Sequence, residues 1–232
     1  MAHRSTVRIT GRLVVACVIL GALPPVARAA VGGGRSGPSL ISLGVDGGEA
    51  DGASFTPAIS ADGRHVAFAS AASTLVSGDT NGVEDVFVFD RVERTTDRVS
   101  LSGQGEAGNG DSYDPAISAD GRYVAFTSAA SNLTAGDSND ELDIFVRDRD
   151  EGATVLASVG PQGAPGDGPS VAPTISADGR IVAFESDADS LVAKDENHTG
   201  DVFVRDLVAE VTRLVSVGDE VARRRRRSGF RP

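Results

Sequence analysis

Short apolar runs of four to six residues recur along this chain, each bounded by clusters of Gly, Asp, Asn and Ser. His65 to Ser70 and Val86 to Asp90 are examples, and their length with their β-branched and aromatic content predicts strands. An Asp-Gly pair, Asp62-Gly63, stands between two such runs, a strong hairpin signal, because a type I′ turn needs the positive φ that Asn, Asp and Gly tolerate. Strands are expected near Thr56–Ser60 and His65–Ser70, then Val86–Asp90 after a long polar loop, and a fourth near Asp97–Ser102. No 11-residue window of the repeating region sustains a helical period, so the fold class is all-β.

The pattern is periodic. Pro57-Ala58-Ile59-Ser60-Ala61-Asp62-Gly63-Arg64 returns as Pro115 to Arg122 and again, with Thr174 for Ala, as Pro173 to Arg180, at intervals of 58 residues. Val66, Val124 and Val182 keep this register, as do Phe87, Phe145 and Phe203. Upstream, Ser42 matches Ser100, Ser158 and Ser216. The units are 57–114, 115–172 and 173–217, with an orphan strand at 39–43 in front. A four-stranded antiparallel sheet recurring along a chain is the blade of a β-propeller. The Pro-x-Ile-Ser-x-Asp-Gly-Arg segment, the Val-Ala-Phe strand and the Val-Phe-Val-x-Asp strand resemble the WD-repeat-like units of TolB-type propellers, over residues 39 to 217. Three full blades plus one leading strand fall below the usual four to eight, so a partial propeller is expected. Two copies could complete a ring, or the chain could be part of a longer propeller.

Both ends have another character. Arg4, Arg8 and Arg12, the apolar run Leu13–Leu23 and Ala27-Arg28-Ala29 have the order of a cleaved secretory signal, residues 1–29, followed by a linker, 30–38. The apolar run is too short for a stable span, so no stable membrane insertion is expected after cleavage. Val14-Val15-Ala16-Cys17 matches a lipoprotein box by residue type, but the run continues past the cysteine. Cys17 is the only cysteine, so the mature chain would have neither disulfides nor thiol chemistry. At the other end Arg223–Arg227 replace, in register, the polar Pro165–Pro169 loop, and residues 223–232 are expected to form a disordered Arg-rich tail or the product of a reading-frame shift.

The net charge is −11, and loss of four leader arginines would take it to −15. This is the wrong sign for gripping nucleic acid or anionic lipid through phosphate neutralisation. Strand order puts the Asp-Gly turns on one rim and the long second-to-third loops, with the inter-blade loops, on the other. That second rim is Gly-rich and acidic, and loops on a rigid scaffold are where binding residues concentrate. Within it Asp79, Asn81 and Asp85 recur as Asp137, Asn139 and Asp143 and as Asp195, Asn197 and Asp201. Hard oxygen donors at this spacing can converge on calcium. The pattern lacks the glycine and the closing glutamate of an EF-hand, and bonds that hold the turn are the competing reading.

Asp62, Asp120 and Asp178 read as hairpin residues, because a catalytic carboxylate needs one setting and not three copies. Ser60, Ser118 and Ser176 read as turn hydrogen-bonders. His65 and His198 belong to no cluster, the sequons at Asn132 and Asn197 are loop candidates for glycosylation, and no nucleophile elbow, phosphate loop or zinc helix is present. The TolB resemblance implies an exported, cell-envelope or periplasmic module, non-catalytic, that recognises a protein or extracellular polymer. The alternative is the propeller part of a larger prolyl-oligopeptidase-like hydrolase or lyase, which a downstream Gly-x-Ser-x-Gly would favour. A purely structural surface repeat is a third reading.

Overall fold

The computed structural model describes residues 39–195 and 197–216. The expected signal, the linker and the arginine tail lie outside the described residues. Within them the chain forms three sheets of four antiparallel strands: β1 (Ser54–Ile59), β2 (His65–Ser70), β3 (Asp85–Asp90) and β4 (Thr95–Arg98); β5 (Ser112–Ile117), β6 (Tyr123–Ser128), β7 (Asp143–Asp148) and β8 (Ala153–Leu156); β9 (Ser170–Ile175), β10 (Ile181–Ser186), β11 (Asp201–Asp206) and β12 (Val211–Leu214). Each sheet keeps the chain order, so every connection is a hairpin. Among the described residues helix is confined to two short 3-10 turns, Pro161–Gly163 and Asp189–Leu191.

Alternation along the central strands gives each sheet two apolar faces. One carries a cross-strand phenylalanine pair: Phe68 opposite Phe87, Phe126 opposite Phe145, Phe184 opposite Phe203. Their ring centroids lie 5.9 to 6.0 Å apart, a contact worth about 0.5–1.5 kcal/mol beyond the area it buries. The other face carries small and β-branched residues. Ala67, Val86 and Val88 of the first sheet pack on Phe126, Leu133 and Phe145 of the second. Ala125, Ile144 and Val146 of the second pack on Phe184, Leu191 and Phe203 of the third. The inner strands β1, β5 and β9 are neighbours, and the Asp-Gly hairpins are joined by Ala61 N–H to the Ala119 carbonyl and Ala119 N–H to the Ala177 carbonyl, both 3.0 Å. Three blades therefore stack in sequence around an inner edge, as propeller blades do.

Three expectations about local structure change. The Asp-Gly hairpins are not two-residue type I′ turns: Gly63, Gly121 and Gly179 have positive φ but the aspartates before them do not. Gly63 N–H bonds the Ser60 carbonyl and Ser60 N–H bonds the His65 carbonyl, which closes a four-residue loop. The fourth strand stops at Arg98: Val99 N–H still bonds the Val86 carbonyl, but the Val99 side chain covers the next blade, buried among Phe126, Leu133 and Phe145, and the chain beyond it leaves the ladder. The leading segment 39–43 is the same feature one unit earlier. Leu43 makes a single bridge to Glu49, as Leu101 does to Ala107 and Val159 to Pro165, and Ile41 packs on Phe68, Leu75 and Phe87. Each inner strand also contains an irregularity, with Thr56, Asp114 and Ala172 at positive φ just before a proline.

The valine-bearing face of the third blade has no described neighbour. Glu185 and Val202 are exposed there, whereas the equivalent Thr127 and Ile144 of the second blade are fully buried.

Candidate functional site

The two rims differ in chemistry. On the hairpin rim, Asp62, Asp120 and Asp178 each accept the hydroxyl of the serine two residues earlier, at 2.5 to 2.6 Å, and the backbone N–H of the arginine two residues later. The serine bond is the main cause that holds each carboxyl below its ordinary value. The arginine that follows reaches across to the end of the third strand: Arg64 to Asp90, Arg122 to Asp148 and Arg180 to Asp206, at 2.6 to 2.7 Å. Both bonds fall on Oδ1 of each aspartate, so these acids are tied into the turn, which agrees with the hairpin reading. His65 lies beneath the next blade's hairpin, 3.5 Å from Asp90. His198 is exposed and pairs with Asp189 at 2.5 Å, a hydrogen bond that raises its pKa.

The opposite rim gathers the long second-to-third loops with the inter-blade turns, and each inter-blade turn is tied to the long loop of the blade it leads into. Asp51 accepts the hydroxyls of Ser73 and Thr74. Asn109 exchanges bonds with Ser131 and Asn132, and Asp167 with Ser190. A second tie runs to the blade behind, from Asn81 to the Gly108 carbonyl and from Asn139 to the Gly166 carbonyl. The rim is thus laced across blade boundaries and exposes Asp46, Glu49, Glu106, Asp111, Asp140 and Glu141 among others. Asn132, expected to be an accessible sequon, is half-buried with its amide engaged by the Ala107 carbonyl; Asn197 is exposed, but its amide bonds Asp201.

The nine residues singled out as oxygen donors fall at the root of these loops, and the three copies are not alike. In every blade the acid that opens the third strand, Asp85, Asp143 or Asp201, is buried and accepts the hydroxyl of Ser100, Ser158 or Ser216. In the first blade the Arg98 guanidinium bridges Asp79 at 3.0 Å and Asp85 at 2.8 Å, and Asn81 donates to Asp85. Leu156 and Leu214 replace that arginine in the other two blades: Arg98 pairs with Phe87 on the ladder, Leu156 with Phe145 and Leu214 with Phe203. Burial pushes the Asp143 carboxyl up to about 6 against the pull of the Ser158 hydroxyl, and it also raises Asp79 and Asp137. Among the described residues no three His, Cys, Asp or Glu side chains form a preformed metal cage. The sequence pattern shows the three acid triplets but not that only one contains its own cation, because that cation comes from the fourth strand.

Between the outer parts of the second and third blades lies a cleft of about 610 Å³ lined by Tyr123, Val155, Leu156, Arg205, Leu207 and Glu210. Arg205 is 8 % exposed, donates to Thr212, and is depressed in pKa by burial. Nothing in the strand pattern marks this cleft, because it is made by two blades.

The fold is a partial β-propeller. The chain is similar to a TolB from Agrobacterium tumefaciens (19 % identity, TM-score 0.45, 70 % of this chain and 48 % of that one). It is also similar to the β-propeller domain of the Trilobed protease from Pyrococcus furiosus, described as having an open velcro topology (13 %, 0.45, 70 % and 42 %). A third is TolB from Acinetobacter baumannii (15 %, 0.32, 70 % and 43 %). The chain spans less than half the length of these three structures. No protein-family profile matches the sequence, and no curated protein matches it. Among the described residues no helix of this propeller is long and apolar enough to cross a membrane.

Proposed function

We propose that this propeller is an exported, non-catalytic recognition module of the cell envelope that binds a protein or extracellular polymer through its acidic loop rim. The observation that carries the reading is the lacing of the rim. Loops held across blade boundaries by side-chain bonds present their exposed carboxylates in fixed positions, which lowers the ordering cost of binding. Hard acids on one rim, with Arg64, Arg122 and Arg180 of the other rim engaged in ion pairs, favour a cationic partner and long-range steering towards it. The uncovered face of the third blade takes either a second copy, which completes a ring, or further blades. The rival reading, the propeller portion of a larger hydrolase or lyase, keeps the same scaffold and differs in what is joined to it.

The rim is tested by measuring binding of a cationic peptide and an anionic peptide of equal length to the full chain at low and at moderate salt. Selective, salt-sensitive binding of the cationic peptide, weakened when Glu49, Glu106, Asp140 and Glu141 are changed to their amides, supports the reading. These four side chains accept no hydrogen bond in the structure, so the fold should survive. Equal binding of both peptides, or no effect of the four changes, refutes it.

A further inference from the structure

We infer that the second blade holds a divalent cation, calcium by the hardness of its donors, between Asp137 and Asp143, in the place that the Arg98 guanidinium takes in the first blade. The repeat supplies its own control. In the first blade one guanidinium nitrogen touches Asp79 Oδ1 and Asp85 Oδ2. The two atoms that correspond to these in the second blade, Asp137 Oδ1 and Asp143 Oδ2, are both buried without a hydrogen-bond partner. Asp143 itself is completely buried. Leu156 fills the Arg98 position on the ladder and offers no charge. A third buried oxygen of the same loop, Thr134 Oγ1, is also without a partner, where the first blade has Val76.

A buried carboxylate needs a cation, a proton or donors. Here Ser158 serves one oxygen of Asp143; the other has no hydrogen-bond partner, nor has Asp137 Oδ1, and the Asn139 amide is spent on the Gly166 carbonyl. Two carboxylates without an arginine call for two positive charges, and calcium accepts irregular oxygen sets completed by water, which magnesium does less readily. Two carboxylates and a hydroxyl make a weak site, fitted to millimolar extracellular calcium. The third blade is intermediate: Asp195 Oδ1 also lacks a partner, but Asn197 donates to Asp201 Oδ2. This inference does not depend on what the rim recognises.

The test is the thermal midpoint of the full chain in calcium and in chelator, with calcium titration by calorimetry at room temperature as an independent measure. Calcium at about ten times its Kd should raise the midpoint by ~3–6 °C. Leu156→Arg should raise the midpoint in chelator and remove the calcium response, and Asp137→Asn should remove the response while leaving the circular dichroism spectrum unchanged. A wild-type midpoint that is the same in calcium and chelator with no calorimetric binding, or a full calcium response in Leu156→Arg, overturns the inference; the first outcome means that a proton neutralises Asp143.

Discussion

Alanine at Gly63, Gly121 and Gly179 distinguishes the demands of the hairpin from those of blade stacking. All three glycines occupy the same place in the same motif, with φ of +69°, +78° and +73°. A side chain at such a φ costs about 1 kcal/mol wherever it stands. Beyond that the sites diverge. A Cβ on Gly63 meets nothing closer than the Arg91 guanidinium at 3.7 Å, whereas on Gly121 it would lie 2.2 Å from Nδ1 of His65, and on Gly179 2.1 Å from the ring of Tyr123. These rings belong to the preceding blade. The Tyr123 ring is itself covered by Arg122 at 4.9 Å, so it has little freedom to turn away. Overpacking of this kind adds about 1–3 kcal/mol. For a chain of this size each kcal/mol lowers the midpoint by about 2–4 °C, so Gly63→Ala should lose ~2–4 °C and the other two roughly two to four times as much, measured by far-ultraviolet circular dichroism. His65→Ala should restore part of the loss in Gly121→Ala and none of that in Gly63→Ala. Equal losses at the three glycines, or no rescue, would refute the stacking geometry.

Arg94 and Glu210 have positive φ in the β3–β4 and β11–β12 turns, where the second blade has Gly152; Arg94→Gly and Glu210→Gly should each raise the midpoint by a few degrees, since about 0.5–1 kcal/mol of backbone strain is relieved. The carboxyls of Asp90, Asp148 and Asp206 are held below their ordinary 3.8 chiefly by the hydrogen bonds from Arg64, Arg122 and Arg180. A depressed folded pKa means stability that is complete above 3.8 and lost as pH falls through the lower value, so the midpoint should drop steeply below about pH 4, and Asp148→Asn should make that drop shallower in a series of acid melts. On the open face of the third blade, Val202→Lys should suppress self-association measured by light scattering while leaving the melting midpoint of the dilute chain within about 2 °C of wild type, because Val202 is already 38 % exposed.

Much of this architecture can be read from the chain because its cause is local and repeated. His65–Ser70 is a strand with the bounds its composition implies, and the third strand differs by one residue, Asp85. The 58-residue register carries each such assignment into three places. The end of the fourth strand is hard to place from the sequence because Val99 and Leu101 look like strand residues; Val99 is apolar because it covers the next blade, and single-sequence alternation does not say which sheet a residue covers. The turn type escapes the sequence for a related reason. Asp-Gly is compatible with several loops, and here the Ser60 hydroxyl, which bonds Asp62 and accepts from His65 N–H, selects a four-residue loop.

The acid triplets show where local information ends. Asp79, Asn81 and Asp85 recur at fixed spacing because the loop before the third strand needs oxygen acceptors at its root, and this much the sequence determines by itself, together with the strand content, the three-fold repetition and the acidity of one rim. Whether a given triplet is neutralised depends on a residue 13 positions beyond Asp85, brought alongside only when β4 pairs with β3 and sets Arg98 opposite Phe87. The tertiary structure likewise decides that Gly121 and Gly179 are sterically closed while Gly63 is open, and that one face of the third blade has no described neighbour. Hairpin formation is governed by contacts a few residues apart, but charge compensation and steric closure are governed by which strands and blades lie against each other in space.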